Sequence, residues 1–347
     1  MSASKIIINK PVIRDFRYVC IIGYGWSGSS ACIDLLREFE GFKALEGEFR
    51  IAKDPYGLND LENSLVHNWD FIRHDVAIRD FLNYCKMLSR KSNLFSKVGK
   101  NFSEKLNVDF MSESKLYIDK LTDMMYFGDT SVHRYNISAY KNFIMKIRSK
   151  IGRNNARNMY FSRPSEDMFL EETRKYINKL FNQYAESNDA NTIILDQAVS
   201  VTNILNNIRY FDDMKIIIID RDPRDIYSNL VKSNVLIGAD LYNQDSIYKY
   251  VKWHETIRKN IKTKVKGKEF SKVILKLNYE DLVYDYKQSV ARIIDFLGGD
   301  IVHKNKYSYF NPESVRAKNN AGLWKTYRSQ SAMSQIGKEL KEYCYND

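Results

Sequence analysis

The stretch from Ile21 to Leu36, IIGYGWSGSSACIDLL, constrains the fold more than any other part of the chain. Tyr18, Val19, Ile21 and Ile22 form an apolar lead-in, and Gly23, Gly25 and Gly28 then fall among serines. Apolar residues resume at Cys32, Leu35, Leu36 and Phe39, which is helical spacing, and Gly41 suits a helix stop. The pattern predicts a strand, a tight loop and a helix. Glycines let the backbone turn and approach a ligand closely. Ser27, Ser29 and Ser30 add hydroxyls, and the uncapped N–H groups of a helix start attract anions. There is no Gly-Lys-Ser/Thr, so the loop is not that of an ATP or GTP hydrolase. Trp26 stands where a phosphate binder commonly keeps a cation. Taken alone, the loop reads equally as a plain helix start after a glycine turn.

Five short apolar segments rich in β-branched residues read as buried parallel strands: RYVCIIGYG, then 41–49, 191–199, 214–222 and 272–282. Helical patterns follow several of them, as at Val290, Ile293, Ile294 and Leu297. This alternation predicts an α/β layered fold around a parallel sheet of about five strands. Residues 60–190 interrupt it with amphipathic, mainly helical sequence, and no Pro/Gly linker separates them. They are expected to form a helical insertion or lid within a single domain covering 1–347.

A net charge of +11 over 347 residues favours an anionic partner without choosing among nucleotide, nucleic acid, membrane surface and acidic glycan. No recognition-helix or RNA-binding sheet motif is present, so nucleic acid is not expected. Cys20, Cys32, Cys85 and Cys344 lack metal-type spacing; with no signal-like N-terminus and no apolar run of about 20 residues, a cytoplasmic protein without a metal is expected. Contact with a membrane surface stays open.

A second motif, IIIIDRDPRDIYSNLV at 216–231, ends a strongly apolar strand in Asp220 and Arg221, with Pro223 fixing a turn and Ser228 following. Ligands of open α/β sheets bind beyond the carboxyl ends of the strands, which would set Arg221 beside the first loop. A surface loop of Arg–Asp pairs is the alternative. Asp196 and Gln197 close another strand and are read as facing the cleft or capping a helix.

Together these motifs resemble the sulfotransferases that use 3′-phosphoadenosine 5′-phosphosulfate (PAPS). WSGSS is similar to their 5′-phosphosulfate loop, and RDPRDIYS to their 3′-phosphate motif. LNYEDLVYDYKQSVARIIDFLG resembles their YEDL–helix–FLG segment, and VRAKNNAGLWKTY their late Gly-x-Trp-Lys region. The likeness covers roughly 18–50 and 192–327. It implies a P-loop-like three-layer fold and in-line transfer of a sulfuryl group from PAPS to a hydroxyl, with no metal. The acceptor it implies is a carbohydrate, free or within a glycan or glycolipid. By the same resemblance, Gly25, Trp26, Ser27, Gly28, Ser29 and Ser30 hold the 5′ end of the donor. Arg221 and Ser228 hold its 3′-phosphate, though the family's serine lies one position on, where this chain has Asn229. Arg316, Lys318 and Asn319 complete the nucleotide site. Glu48, in LEGEFRIAKDP, is the expected general base, ahead of Glu46 and of His67, His74 and His133. The family's Lys or Arg is absent at Trp26, so Arg50 or Lys53 is expected to supply the cation, with Lys318 and Lys325 behind them. The alternative is a nucleotide- or phosphate-binding protein on the same fold without transferase activity.

Overall fold

The computed structural model describes residues 16–92, 98–130, 132, 137–153, 155–241, 244–264 and 270–345. Its centre is a five-stranded sheet: β1 (Arg17–Gly23), β2 (Phe42–Glu48), β5 (Thr192–Asp196), β6 (Met214–Asp220) and β7 (Ile274–Asn278), in the order β2-β5-β1-β6-β7. Every neighbouring pair is parallel. A sheet covered on both faces needs apolar residues on both, and Ile216–Ile219 provides them. Ile216 and Ile218 pack toward the long insertion, Ile217 and Ile219 toward the opposite helices, and all are essentially inaccessible. Each such side chain contributes about 1.5–3 kcal/mol of burial.

On the second face lie α1 (Ser29–Leu36), α8 (Tyr279–Tyr284) and α9 (Tyr286–Leu297), packed through Cys32, Leu35, Leu282 and Ile293. Between β2 and β5 are inserted α2 (Arg73–Ser89), α3 (Phe110–Leu121), α4 (Ala139–Lys150) and α5 (Glu166–Ser187), and the first face is covered by α2, α3 and α5. Of these, α2, α3 and α5 bury Ile78, Phe81, Ile118 and Leu180 against the sheet residues Cys20, Ile22 and Ile193. A third cluster joins α6 (Pro223–Ser233), α7 (Gln244–Lys264) and α11 (Gln330–Glu339), while α10 (Val315–Asn320) leads into it.

Two features differ from the sequence expectation. The insertion also holds an antiparallel hairpin, β3 (Met124–Gly128) and β4 (Arg157–Phe161). Met124 through Phe127 are all exposed, so these residues lack the alternation that marks a half-buried strand. The strand expected at 272–282 stops at Asn278, and YEDLVY becomes α8.

Candidate active site

The loop after β1 turns on unusual backbone angles. Gly25 and Gly28 have φ of +81° and +92°, and Trp26 has +53°. Gly28 is also sterically required, because a Cβ there would lie 2.4 Å from the Tyr279 ring. Ser27 is buried, and its Oγ accepts a hydrogen bond from the Tyr24 N–H at 3.2 Å, bracing the loop from within. Ser29 is partly exposed and Ser30 exposed. No side chain caps α1, which begins at Ser29 with Gly28 as its left-handed N-cap. The helix start therefore leaves N–H groups for an anion.

Arg221 fastens this loop to the C-terminal region. It is 4% exposed. Its Nη1 donates to the Trp26 carbonyl at 3.2 Å, and its Nη2 to the Asn320 carbonyl. The guanidinium carbon lies 5.0 Å from the Tyr279 ring centre, and Nη2 is 3.6 Å from Asp225. Its Nε is buried and has no partner among the described residues. Asp225, one turn into α6, accepts from the N–H groups of Gly322 and Trp324, both at 2.8 Å. Burial pushes the Asp225 carboxyl up, against the pull of Arg221. Glu280 lies beneath the turn and accepts from the Asp222 N–H at 2.9 Å, while its Oε2 is buried without a partner. Burial raises it to about 7.

Ser228 does not face Arg221. Its hydroxyl donates to the Arg224 carbonyl at 2.8 Å and packs against Met333 of α11. Asn229 falls on the Asp225 stripe one turn later, is half-buried, and makes no side-chain hydrogen bond to another described residue. Arg316, Lys318 and Asn319 are exposed on α10. Lys318 pairs with Glu313 at 2.6 Å, whereas the charge of Arg316 acts on Tyr279 and on Asp34 of α1. Trp26 packs its ring against the third cluster.

A separate polar group forms where β2 and β5 end, because Glu48 pairs in register with Asp196. Arg50 donates through Nε to Asp54 at 2.6 Å and through Nη1 to Glu48 at 3.2 Å, so two carboxylates hold it. Lys53 donates to the Gln197 side chain at 2.9 Å; burial and the neighbouring Arg50 lower its pKa. Asp196 is raised to about 6, first by burial and then by the Glu48 charge, and its Oδ1 is buried and unpartnered. Tyr84 of α2 donates to Asp54 at 3.1 Å. One turn earlier on α2, Asp80 lines a cavity of about 590 Å³ with Tyr56, Asn63, Ser64, Arg73 and Val76. A cavity of about 630 Å³ at Arg17, Thr192 and Asp213 lies at the opposite end of the strands.

The other candidate bases are placed elsewhere. Glu46 is exposed beside Lys105, and His67 pairs with Glu62 at 3.2 Å. Both ring nitrogens of buried His74 meet backbone carbonyls at 2.9 Å. His133 lies outside the described residues. One cation escaped the sequence reading. Arg258 of α7 is 2% exposed, donates to Asp220, and stands 4.0 Å from the centre of the Tyr24 ring in the first loop. Its Nε and Nη1 are buried without partners among the described residues. No motif surrounds Arg258 in the sequence, whereas Asp225 was readable as the residue four past Arg221.

Among curated proteins, none matches significantly. Several solved structures align at low identity. The sulfotransferase domain of the Synechococcus PCC 7002 olefin synthase aligns over 96% of this chain and 97% of its own, at 14% identity and TM-score 0.45. Sulfotransferase STF1 of Mycobacterium tuberculosis H37Rv aligns over 95% and 78%, at 11% identity and TM-score 0.39. Retinol dehydratase, solved with androsterone and inactive cofactor PAP, aligns over 94% and 80%, at 15% identity and TM-score 0.32. The model described as "Sulfotransferase family" matches residues 19–302, a span that runs from the first strand and its loop past β7 and α9. On that match the chain belongs to the sulfotransferase family.

Proposed function

We propose that this protein transfers a sulfuryl group from PAPS to a hydroxyl of a carbohydrate or glycan. The observation that carries the reading is the buried Arg221, with an unpartnered Nε, held between the Trp26 carbonyl of the first loop and the Asn320 carbonyl. A guanidinium in that position suits a 3′-phosphate, and the uncapped start of α1 suits the 5′ end of the donor. We assign Gly25, Gly28, Ser29 and Ser30 to the 5′ end through backbone and hydroxyl contacts, with Ser27 bracing them. Asn229 rather than Ser228 is assigned beside the 3′-phosphate, because the Ser228 hydroxyl is turned toward α11. Arg316, Lys318 and Asn319 close over the nucleotide from α10.

The acceptor side is the group at the ends of β2 and β5. Glu48 is the proposed base, and Asp196 across from it is held in a range where it can exchange a proton near neutral pH. As the sulfuryl group leaves, negative charge grows on the nucleotide phosphate, and a cation lowers that barrier. Lys53 is the choice we favour, because Arg50 is already engaged by two carboxylates. The nearby cavity mixes polar side chains, among them Asp60, Asp80 and Arg73, with a larger apolar lining that includes Tyr56, Leu61 and Ile72, and so offers a sugar both hydroxyl partners and contact for its apolar ring face. The test is release of 3′,5′-ADP from PAPS in the presence of a panel of glycans, with labelled sulfate followed into product. Acceptor-dependent release that disappears in Lys53→Ala supports the assignment. Tight binding of 3′,5′-ADP without transfer to any hydroxyl acceptor rejects it.

A further inference from the structure

The connection between β3 and β4 gives Val132 to the cavity beside α2, whereas α4 in the same connection presents a surface outside that lining. Ser138 caps α4 by accepting from the Lys141 N–H, and Arg148 and Lys150 in the last turn complement its negative end. No side chain of α4 is buried. Tyr140, Phe143, Ile144, Ile147 and, one residue past the helix, Ile151 are between 37% and 72% exposed. At 3.6 residues per turn they share one stripe about 100° wide. Lys141 and Arg148 border the stripe on one side, and Lys146 and Lys150 on the other. Residues 139–153 contain no Asp or Glu. The hairpin beside it presents Met124, Met125, Tyr126 and Phe127 to solvent. Asn155, just before β4, donates to the Met145 carbonyl at 3.0 Å and to Ser149 at 2.7 Å, holding helix and hairpin together.

An apolar stripe on a helix with no buried side chain marks an interaction surface. An exposed apolar stripe with cations on both flanks is the arrangement of a helix lying in a lipid surface. The apolar groups enter the acyl boundary, and the long basic side chains reach back to the headgroups. We propose that α4 docks this protein onto a membrane surface rich in anionic lipid. A nucleic acid would use the cations and leave the stripe in water. A second copy of the chain, stripe against stripe, would bring like charges together along both borders. The proposal is independent of the donor and acceptor assigned above.

The test is flotation of the full chain with vesicles of phosphatidylcholine alone or mixed with phosphatidylglycerol, at low and high salt. Binding is expected only to the anionic vesicles and is expected to weaken with salt. Phe143→Ser with Ile147→Ser, and separately Lys146→Glu with Lys150→Glu, are each expected to reduce it about tenfold or more. Both pairs are exposed, so melting temperatures are expected to match the parent protein. Three results overturn the proposal: no binding to anionic vesicles, binding that both variants retain, or a concentration-dependent dimer abolished by Phe143→Ser with Ile147→Ser in a protein that ignores vesicles.

Discussion

Replacing Arg221 with Ala removes the guanidinium that spans the cleft, and the structure sets the size of the loss. Two of its nitrogens are held by the carbonyls of Trp26 and Asn320. Only Nε is unpartnered, so the added contact to a 3′-phosphate is one charge-assisted hydrogen bond. That is worth about 1.5–3 kcal/mol, or about 10- to 150-fold in affinity. The substitution also leaves Asp225 buried without its cation, although two N–H groups still hold it. Such a loss costs on the order of 3 kcal/mol of stability. Parallel calorimetric titrations with 3′,5′-ADP and 5′-AMP separate the two effects. A smaller folded fraction weakens both ligands alike, whereas a lost phosphate contact weakens only 3′,5′-ADP. The expected result is a fall of at least about tenfold in the ratio of the two affinities. Equal losses for both ligands would refute the assignment and leave Arg221 as a brace between loop and C-terminal turn.

Four further outcomes follow from the same geometry. Glu48→Gln should slow transfer by about 10²-fold or more while 3′,5′-ADP affinity stays near that of the parent, because a base acts in turnover; full activity would shift the role to Asp196. Lys53→Ala should depress turnover more than nucleotide affinity, read as kcat against KM. Asn229→Ala should weaken 3′,5′-ADP and spare 5′-AMP, whereas Ser228→Ala should leave both titrations unchanged. Glu280→Gln tests burial beneath the Arg221 turn through pH. The carboxyl is raised from 4.5 to about 7 in the folded chain, so the parent is unpenalised below pH 4.5 and loses stability as pH rises through about 7. The variant does not titrate, so its advantage in denaturant melts should be absent at low pH and reach about 3 kcal/mol above pH 8; a pH-independent difference would contradict it.

The sheet was legible because its strands are short apolar runs with sharp polar ends. Asp196 and Asp220 each mark where a strand stops, whereas the end of β7 at Asn278 was not read, because Tyr279 and Leu282 carry its apolar positions on into a helix. The first loop was legible because Gly25 and Gly28 adopt angles that side chains resist. Arg258 was not, because its place beside Tyr24 is set by packing of a helix distant in sequence. Asp225 and Glu280 stand within quoted motifs, yet their buried hydrogen bonds to backbone depend on how separate turns meet. The hairpin β3–β4 escaped notice because exposed apolar residues on successive positions carry no strand period. The bias of Ser228 away from the cleft is a matter of helical phase, in which one residue of offset turns a side chain by 100°.

Titration of the purified chain with 3′,5′-ADP tests the central claim most directly, since the whole account rests on a cleft that recognises both phosphates of the donor nucleotide. Micromolar binding is predicted, with 5′-AMP at least about tenfold weaker for lack of the 3′-phosphate at Arg221. Absence of 3′,5′-ADP binding at millimolar concentration, or equal affinity for the two nucleotides, would contradict it.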